Sequence, residues 1–491
     1  MNAASGSGSN VGSGQNGATG PGGALARGRA AAASAELEIS RAWLVDPATG
    51  REGPGELVVR DGVLRAVTWL RGADAAGVGP DGVIVVPGFT DLHAHLREPG
   101  DEAAETIASG LAAAAHGGFT TVCAMADTTP AADEPGVLIR VRALAAASGS
   151  PVRVLGVGAL TAGRAGERLA ALGELADAGA AAFSDDPAPV RSASILRSAL
   201  AYAGMLGVPV VEHAVDPGLS HGAEANDGLV ATVLGLRGSP AAAEEAAVGR
   251  DLAILADVVR DVPGVRLHLA HLSTAGSIAL VRRAKAAGLP VTCDVTPHHL
   301  ALTDGWLAGS RRWAWDGSDN PWADGPLAAA PYASSLRVEP PLRSAADAAA
   351  CLVGLLDGTV DAVATDHAPI ARPDREVEFG MSVPGIAGIE TALGLLLAAV
   401  DAGRLPLARA IAALTSGPAR VLGPRPASTA PGLIVGARAD LVVIDRSAGW
   451  TVGPATIRSL GAPSPLVGRD LPGLVLLTIA DGRLAWEASG A

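Results

Sequence analysis

Lysine is almost absent from this chain. It occurs once in 491 residues, at Lys285, and arginine supplies the rest of the 37 basic side chains. Any chemistry that needs an amine has that one position to draw on. Cysteine is nearly as scarce. Cys123, Cys293 and Cys351 lie far apart, which excludes a disulfide-stapled scaffold and zinc-knuckle spacing and predicts buried thiols in a reducing compartment. No apolar run reaches the roughly 18 residues that a bilayer span requires, so no membrane partner is expected. No positively charged start leads into an apolar core, so a secretory leader is not expected and a cytoplasmic location is. An excess of positive charge is also missing. The formal net charge of -13 argues against nucleic acid and leaves a small molecule as the expected partner.

What is present is a globular composition, 49% hydrophobic and 18% charged. The length suits one large core with a smaller domain beside it. Residues 1–35, rich in Gly, Ser, Ala and Asn, read as a flexible tail. Short strands follow, at Leu37–Ile39, Ala42–Val45, Glu56–Val59 and Val63–Val67, separated by Asp, Gly and Pro turns. Similar strands return at Ala439–Asp445, Leu474–Ala480 and Arg483–Trp486. Residues 36–85 and 426–491 are therefore expected to build one small β domain from both ends of the chain.

Between them, residues 86–425 alternate strands and helices. Strand candidates are Val83–His95, Thr120–Ala126, Val152–Leu160, Ala180–Asp186, Val208–His213, Val265–Ser273, Val291–His298 and Ala362–His367. Ala- and Leu-rich helical stretches separate most of them. The pattern predicts an α/β fold, a (β/α)8 TIM barrel, whose chemistry sits at the C-terminal strand ends.

The polar residues fall at those ends. In Val85-Val-Pro-Gly-Phe-Thr-Asp-Leu-His93-Ala-His95, strand alternation turns His93 and His95 to the same side. Strand four ends at Asp185-Asp186, strand five at His213, strand six at His271 and strand eight at Asp366. Four histidines and two carboxylates at one barrel mouth suit two divalent ions, most simply zinc. Among the other histidines, His116 reads as a surface or capping residue, His221 as solvated, His268 as core and His367 as structural. One of His298 and His299 can approach the site. Two cations sharing a water would acidify it and polarise a carbonyl. Asp366 could carry the proton, and Arg97 could grip a carboxylate. The reaction class is hydrolysis of an amide-like C–N bond, or its reversal.

From about Val85 to Leu393 the chain resembles the amidohydrolase superfamily, and within it the dihydroorotases of the longer bacterial class. The resemblance rests on PGFTDLHAHLREPG (87–100), GGFTTVCAM (117–125), AFSDD (182–186), HLSTAGS (271–277), TPHHLALT (296–303), PPLR (340–343), ATDHAP (364–369) and GIETAL (388–393). It implies a binuclear zinc barrel with a β-sandwich formed from both termini. The implied reaction interconverts (S)-dihydroorotate and N-carbamoyl-L-aspartate in pyrimidine synthesis. The implied ligands are His93, His95, Asp186, His213, His271 and Asp366, with Asp186 bridging and Asp366 also the catalytic proton carrier. The implied substrate contacts are His95, Arg97, Asp127, Glu339, Ile370, Pro384 and Gly385. Many relatives bridge their metals with a carboxylated lysine. Lys285 lies on the helix after strand six, which agrees with the aspartate-bridged class. A homo-oligomer is expected, with association to aspartate transcarbamoylase as a further partner.

Three positions depart from the family pattern. Asp127 and Glu339 stand where the family has Asn, and Ile370 where it has His. The two acids would repel an anionic substrate by about 1 to 4 kcal/mol for each close contact. Alternatives are therefore a cyclic amidohydrolase with another ureide substrate, or a weakly active paralogue serving as a partner subunit. The segment Gly305–Val338, with Trp306, Trp313, Trp315 and Trp322, is longer than the family's and reads as a lid, a subunit contact or a flexible surface insertion. A second mobile lid is expected between Pro369 and Pro384, where Arg372 or Arg375 could replace the missing imidazole.

Overall fold

The computed structural model describes residues 25–27, 36–317, 322, 331–424, 432–461 and 464–489. Most of the expected tail, part of the tryptophan-rich segment and the boundary expected near residue 426 lie outside the described residues.

Eight short parallel strands line the centre. They are β1 Phe89–Ala94, β2 Phe119–Ala124, β3 Arg153–Gly158 and β4 Ala182–Phe183. Then come β5 Val210–Glu212, β6 Leu267–Leu269, β7 Val291–Val295 and β8 Ala362–Val363. They pair in chain order. The ring closes just beyond the strands, where Ala94 bridges to His367 and the His95 N–H donates to the His367 carbonyl at 2.8 Å. The principal helices are α1 Ile107–His116, α2 Pro135–Ala147, α3 Leu172–Asp177 and α4 Ala193–Leu206. They continue with α5 Ala241–Val258, α6 Ala275–Ala286, α7 Ala345–Asp357 and α8 Ala392–Asp401. Their apolar faces and the outer faces of the strands form one large core, with Phe89, Phe119, Phe183 and Leu200 fully buried. This is the (β/α)8 architecture expected from the alternation.

Several strands are shorter than expected. Regular pairing in β4 stops at Phe183 and in β8 at Val363, so Asp186 and Asp366 sit on the loops just past the ends. The stretch expected as one strand over Val83–His95 is two. Val83–Pro87 pairs into the small domain, and β1 starts at Phe89. Pro87 and Gly88 make the break, and a Cβ on Gly88 would collide with the Thr120 side chain.

The small domain is one continuous sheet that draws on both ends of the chain. Its order is Arg483–Glu487, Asp470–Ala480, Leu441–Thr451, Val83–Pro87, Glu36–Asp46, Arg51–Arg60, Val63–Trp69. Leu44 pairs parallel with Val85, and Val85 pairs antiparallel with Val443, so Val83–Pro87 joins the two halves. The sheet rolls onto itself: Leu57, Val59 and Leu64 share an apolar cluster with Leu441, Val443 and Leu477. Leu25–Arg27, within the expected tail, adds a strand antiparallel to Glu36–Asp46.

His116, expected as a surface or capping residue, is at a helix end but not at the free surface. It ends α1 at the joint between the two domains, with Nδ1 2.6 Å from Glu390 Oε1 and its ring against Trp450 and Trp486. Burial of the carboxylate, which also accepts the Arg458 N–H at 2.7 Å, explains why a titratable pair sits there.

The hinge at Gly88 yields a test. Gly88→Ala should force the backbone away from Thr120 and lower stability by about 1–3 kcal/mol, as overpacking does. The midpoint of urea unfolding reads this, and an unchanged midpoint would refute the tight approach.

Candidate metal centre

Each expected ligand is placed by a strand end. His93 lies in β1 and His95 one residue beyond it. Asp186 follows β4, His213 follows β5 directly, His271 follows β6, and Asp366 follows β8. All six side chains are brought together and buried. Asp186 stands at the centre. Its Oδ1 is 3.0 Å from His93 Nε2 and 3.4 Å from His95 Nε2. Its Oδ2 is 3.0 Å from His271 Nε2 and 3.2 Å from His213 Nδ1. Two potential metal-holding groups result, His93–His95–Asp186 and Asp186–His213–His271, and one carboxylate belongs to both. Asp366 Oδ1 lies 3.5 Å from His95 Nε2 and 3.8 Å from His93 Nε2.

The electrostatics suit cations. Burial alone would favour neutral imidazoles, but Asp186, Asp366 and Asp127 outweigh it and draw His93, His95 and His271 toward the charged form. Burial would likewise raise the two carboxylates, yet the surrounding imidazoles hold Asp186 and Asp366 well below the usual range. The donor set is nitrogen and carboxylate oxygen, the chemistry that zinc and similar divalent metals take. The residues present fit such a group.

A second layer of acids holds the loops. Asp294 accepts the His271 N–H at 2.7 Å through Oδ1, and its Oδ2 lies 2.8 Å from His268 Nε2. His268 is thus core, as expected, but with a task. Asp91 accepts N–H groups from Thr365 at 2.9 Å and His93 at 3.3 Å, tying β1 to the loop after β8. Asp185 accepts from Leu160 and Thr161, both at 2.9 Å, so it is a brace beside Asp186. Glu244 on α5 accepts the N–H groups of Ser273 at 3.0 Å and Thr274 at 3.1 Å, just after His271. Arg343, from the PPLR motif, lies 4.0 Å from Glu244 and donates to Ser239 O at 2.9 Å. Sequence reading missed Glu244 and Asp294. Glu244 stands in an alanine-rich helix with no pattern to mark it; Asp294 had a signal, being an acid inside an apolar strand.

A cavity of about 170 Å³ opens over the centre. His95, Arg97, Asp186, His213, His271, Glu339, Asp366, Pro384 and Gly385 are among its lining residues. Asp127 and Ile370 are not. Asp127 sits behind the wall, with Oδ2 2.8 Å from His95 Nδ1 and 2.9 Å from Arg97 Nη1. Burial opposes its charge, but His95 and Arg97 prevail and hold its pKa down at about 2. Ile370 is buried under Gly385. Glu339 is exposed at the cavity rim.

The two arginines expected to compensate do not reach the cavity. Arg372 is exposed. Arg375 is buried and donates to the Ser334 and Gly385 carbonyls, so it ties the Pro384–Gly385 loop to the tryptophan-rich segment. His299 is spent on Thr296 Oγ1 at 2.8 Å and Pro340 O at 3.1 Å. Burial drives the His298 imidazole toward its neutral form, with His299 and His271 adding to that and Asp366 opposing it. His367 is structural, 3.5 Å from Glu105, and His221 is exposed. Lys285 lies outside the centre and pairs with Asp361. The described part of the tryptophan-rich segment is packed: Trp306 is fully buried, and Arg469 stacks 4.3 Å from the Trp313 ring.

Buried histidines and aspartates in two groups around a shared carboxylate, at the C-terminal rim of a (β/α)8 barrel, form a site that could hold metal ions and that suits a hydrolase of the amidohydrolase kind. A Dihydro-orotase-like family profile matches residues 82–277. A dihydroorotase from Anaeromyxobacter sp. (strain K) is 45% identical over 450 residues, 91% of this chain and 97% of that protein. One from Pelotomaculum thermopropionicum is 42% identical over 454 residues, 92% and 99% of the two. Among solved structures, the L-hydantoinase from Arthrobacter aurescens shares the fold with TM-score 0.74 and 22% identity, covering 92% of this chain and 96% of that one. A D-hydantoinase matches with TM-score 0.70 and 20% identity, covering 92% and 95%. The chain belongs to the dihydroorotase family. Among the described residues no helix is long and apolar enough to cross a membrane.

The brace behind His271 is testable. Arg343→Met would leave the buried Glu244 carboxylate without its cation and should cost about 3–5 kcal/mol at neutral pH. Burial raises the Glu244 pKa, but Arg343 and the Ser273 hydrogen bonds more than reverse that, so the folded value lies below the unfolded one. Its stabilising contribution is therefore present above the unfolded pKa and lost as pH falls through the folded one. The variant's deficit should shrink on acidification, as read by urea unfolding at two pH values; a deficit independent of pH would exclude the ion pair as its cause.

Proposed function

We propose that this chain is a zinc-dependent dihydroorotase that interconverts (S)-dihydroorotate and N-carbamoyl-L-aspartate. Two metals per chain, a cytoplasmic setting and self-association belong to the same reading. The observation that carries it is the shared carboxylate, with one oxygen of Asp186 turned to each group of histidines. The bound metals would supply an acidified water and polarise the ring amide carbonyl.

The side chains then divide the work. His93 and His95 hold one position, His213 and His271 the other, and Asp186 serves both. Asp366 borders the cavity at 3.5 Å from His95 Nε2. It is the base that takes the proton from the attacking water and the acid that delivers it to the ring nitrogen as the C–N bond breaks. Arg97 holds the substrate carboxylate. Its Nη1 is engaged by Asp127 and its Nε by the Pro369 carbonyl at 3.1 Å, which leaves Nη2 as the arm for a ligand. The cavity volume limits the ligand to a small molecule. Asp127 does not stand as a bare charge against an anion, because it is withdrawn and paired. Glu339 is at the rim, where solvent screens it.

Expression in a pyrimidine auxotroph lacking dihydroorotase should restore growth, and the purified chain should carry two zinc ions. No growth from a well-expressed chain with its metal bound would overturn the substrate assignment. Asp186→Ala should remove both metals, His213→Ala one. Asp366→Asn should retain metal while kcat falls by about 10²–10⁴. Retained turnover in Asp366→Asn would move the proton transfer elsewhere.

A further inference from the structure

We propose that Asp127 is a positioning residue that sets His95 for the metal and Arg97 for the substrate through one carboxylate oxygen. The proposal rests on the metal-dependent reading above and goes beyond it to a residue at which this chain departs from its family's usual Asn.

Three observations converge. First, the same atom, Oδ2, lies 2.8 Å from His95 Nδ1 and 2.9 Å from Arg97 Nη1. Second, His95 turns its other nitrogen to the centre, with Nε2 3.4 Å from Asp186 and 3.5 Å from Asp366. A carboxylate charge this close to the far nitrogen, though not aligned as a hydrogen bond, favours the proton on that side by its field and leaves the near lone pair for a metal. Third, Asp127 cannot swing into the cavity at no cost. Its side chain is 7% exposed, and the chain around it is pinned by Met125 N to Ala94 O at 3.0 Å and Ala132 N to Ala126 O at 3.1 Å.

Arg97 needs such an anchor. Its φ is +62°, a region unfavourable for a residue with a Cβ. Asp127 and the Pro369 carbonyl fix its guanidinium from two sides. The anchor has an electrostatic consequence. A carboxylate on Nη1 offsets part of the charge that Arg97 presents to an anionic substrate, so grip is traded for placement. An asparagine would keep the shape and return that charge.

The test compares the full chain with Asp127→Asn and Asp127→Ala. Zinc affinity is measured by competition with a chromophoric chelator, and kcat and KM for dihydroorotate at saturating zinc. Both variants should bind zinc at least about tenfold more weakly. In Asp127→Asn the KM should fall severalfold with kcat moving less. In Asp127→Ala the KM should rise, because the guanidinium loses its anchor. Unchanged zinc affinity in both variants would overturn the role toward His95. A KM that rises equally in both would make Asp127 a direct substrate contact and overturn the role toward Arg97. The zinc measurement needs no turnover. If the wild type binds zinc but does not open dihydroorotate, the substrate assignment fails while the action on His95 is still decided.

Discussion

The structure depends on a single buried carboxylate shared by two groups of imidazoles. Asp186 has no aqueous solvation to fall back on, and an uncompensated buried charge is costly. Four histidines from three strands surround it, each within 3.4 Å of one of its oxygens. That demand fixes the relative heights of β1, β4, β5 and β6. It also explains why β4 pairs over only Ala182–Phe183: the chain must leave the sheet early to bring Asp186 among the four histidines. Asp185 makes the departure possible, because it replaces the lost sheet hydrogen bonds with bonds to Leu160 and Thr161.

The same logic recurs around the rim. Three residues that face the cavity, Arg97, His271 and Asp366, hold positive φ angles of +62°, +39° and +48°. Such conformations cost on the order of 1–3 kcal/mol each in a residue with a side chain. They persist because acids behind them clamp the backbone: Asp294 takes the N–H of His271, and Asp91 takes those of His93 and Thr365 on either side of the β1–β8 closure. Acidic residues in this protein thus act at two depths. The inner ones face the imidazoles, and the outer ones hold the loops on which the inner ones stand.

What was legible in the sequence follows from this division. Period-two alternation and strand–helix repetition are local, so the eight strands, their order and the inward turn of His93 and His95 could be read directly. The strand-end histidines, Asp366 and the pair Asp185-Asp186 could be read because they end apolar runs; the choice of Asp186 within that pair comes from the family resemblance. The outer layer was less legible, since a buried acid is recognised by its partners and those come from distant segments. Glu244 meets Ser273 only when α5 packs beside the loop after β6. His116 becomes a joint residue only when Trp450 and Trp486 arrive from the far end of the chain. Arg375 carries charge in a loop next to the cavity, which suggested a ligand contact; burial and the Ser334 and Gly385 carbonyls make it a staple.

The charge departures show why counting acids misleads. By composition, Asp127 and Glu339, where the family resemblance implies amides, add two negative charges to a site proposed for an anion. Their surroundings separate them. Asp127 is buried with an arginine and an imidazole on one oxygen, so its field at the cavity is largely cancelled. Glu339 is exposed, and in water a unit pair at 4 Å is worth about 1 kcal/mol, less in salt. Ile370 contributes packing under the Gly385 turn in place of a donor. On the proposed reading, the grip on a carboxylate therefore falls mainly to Arg97, which lines the cavity. Its strength is set by how firmly the wall behind it competes for the same guanidinium.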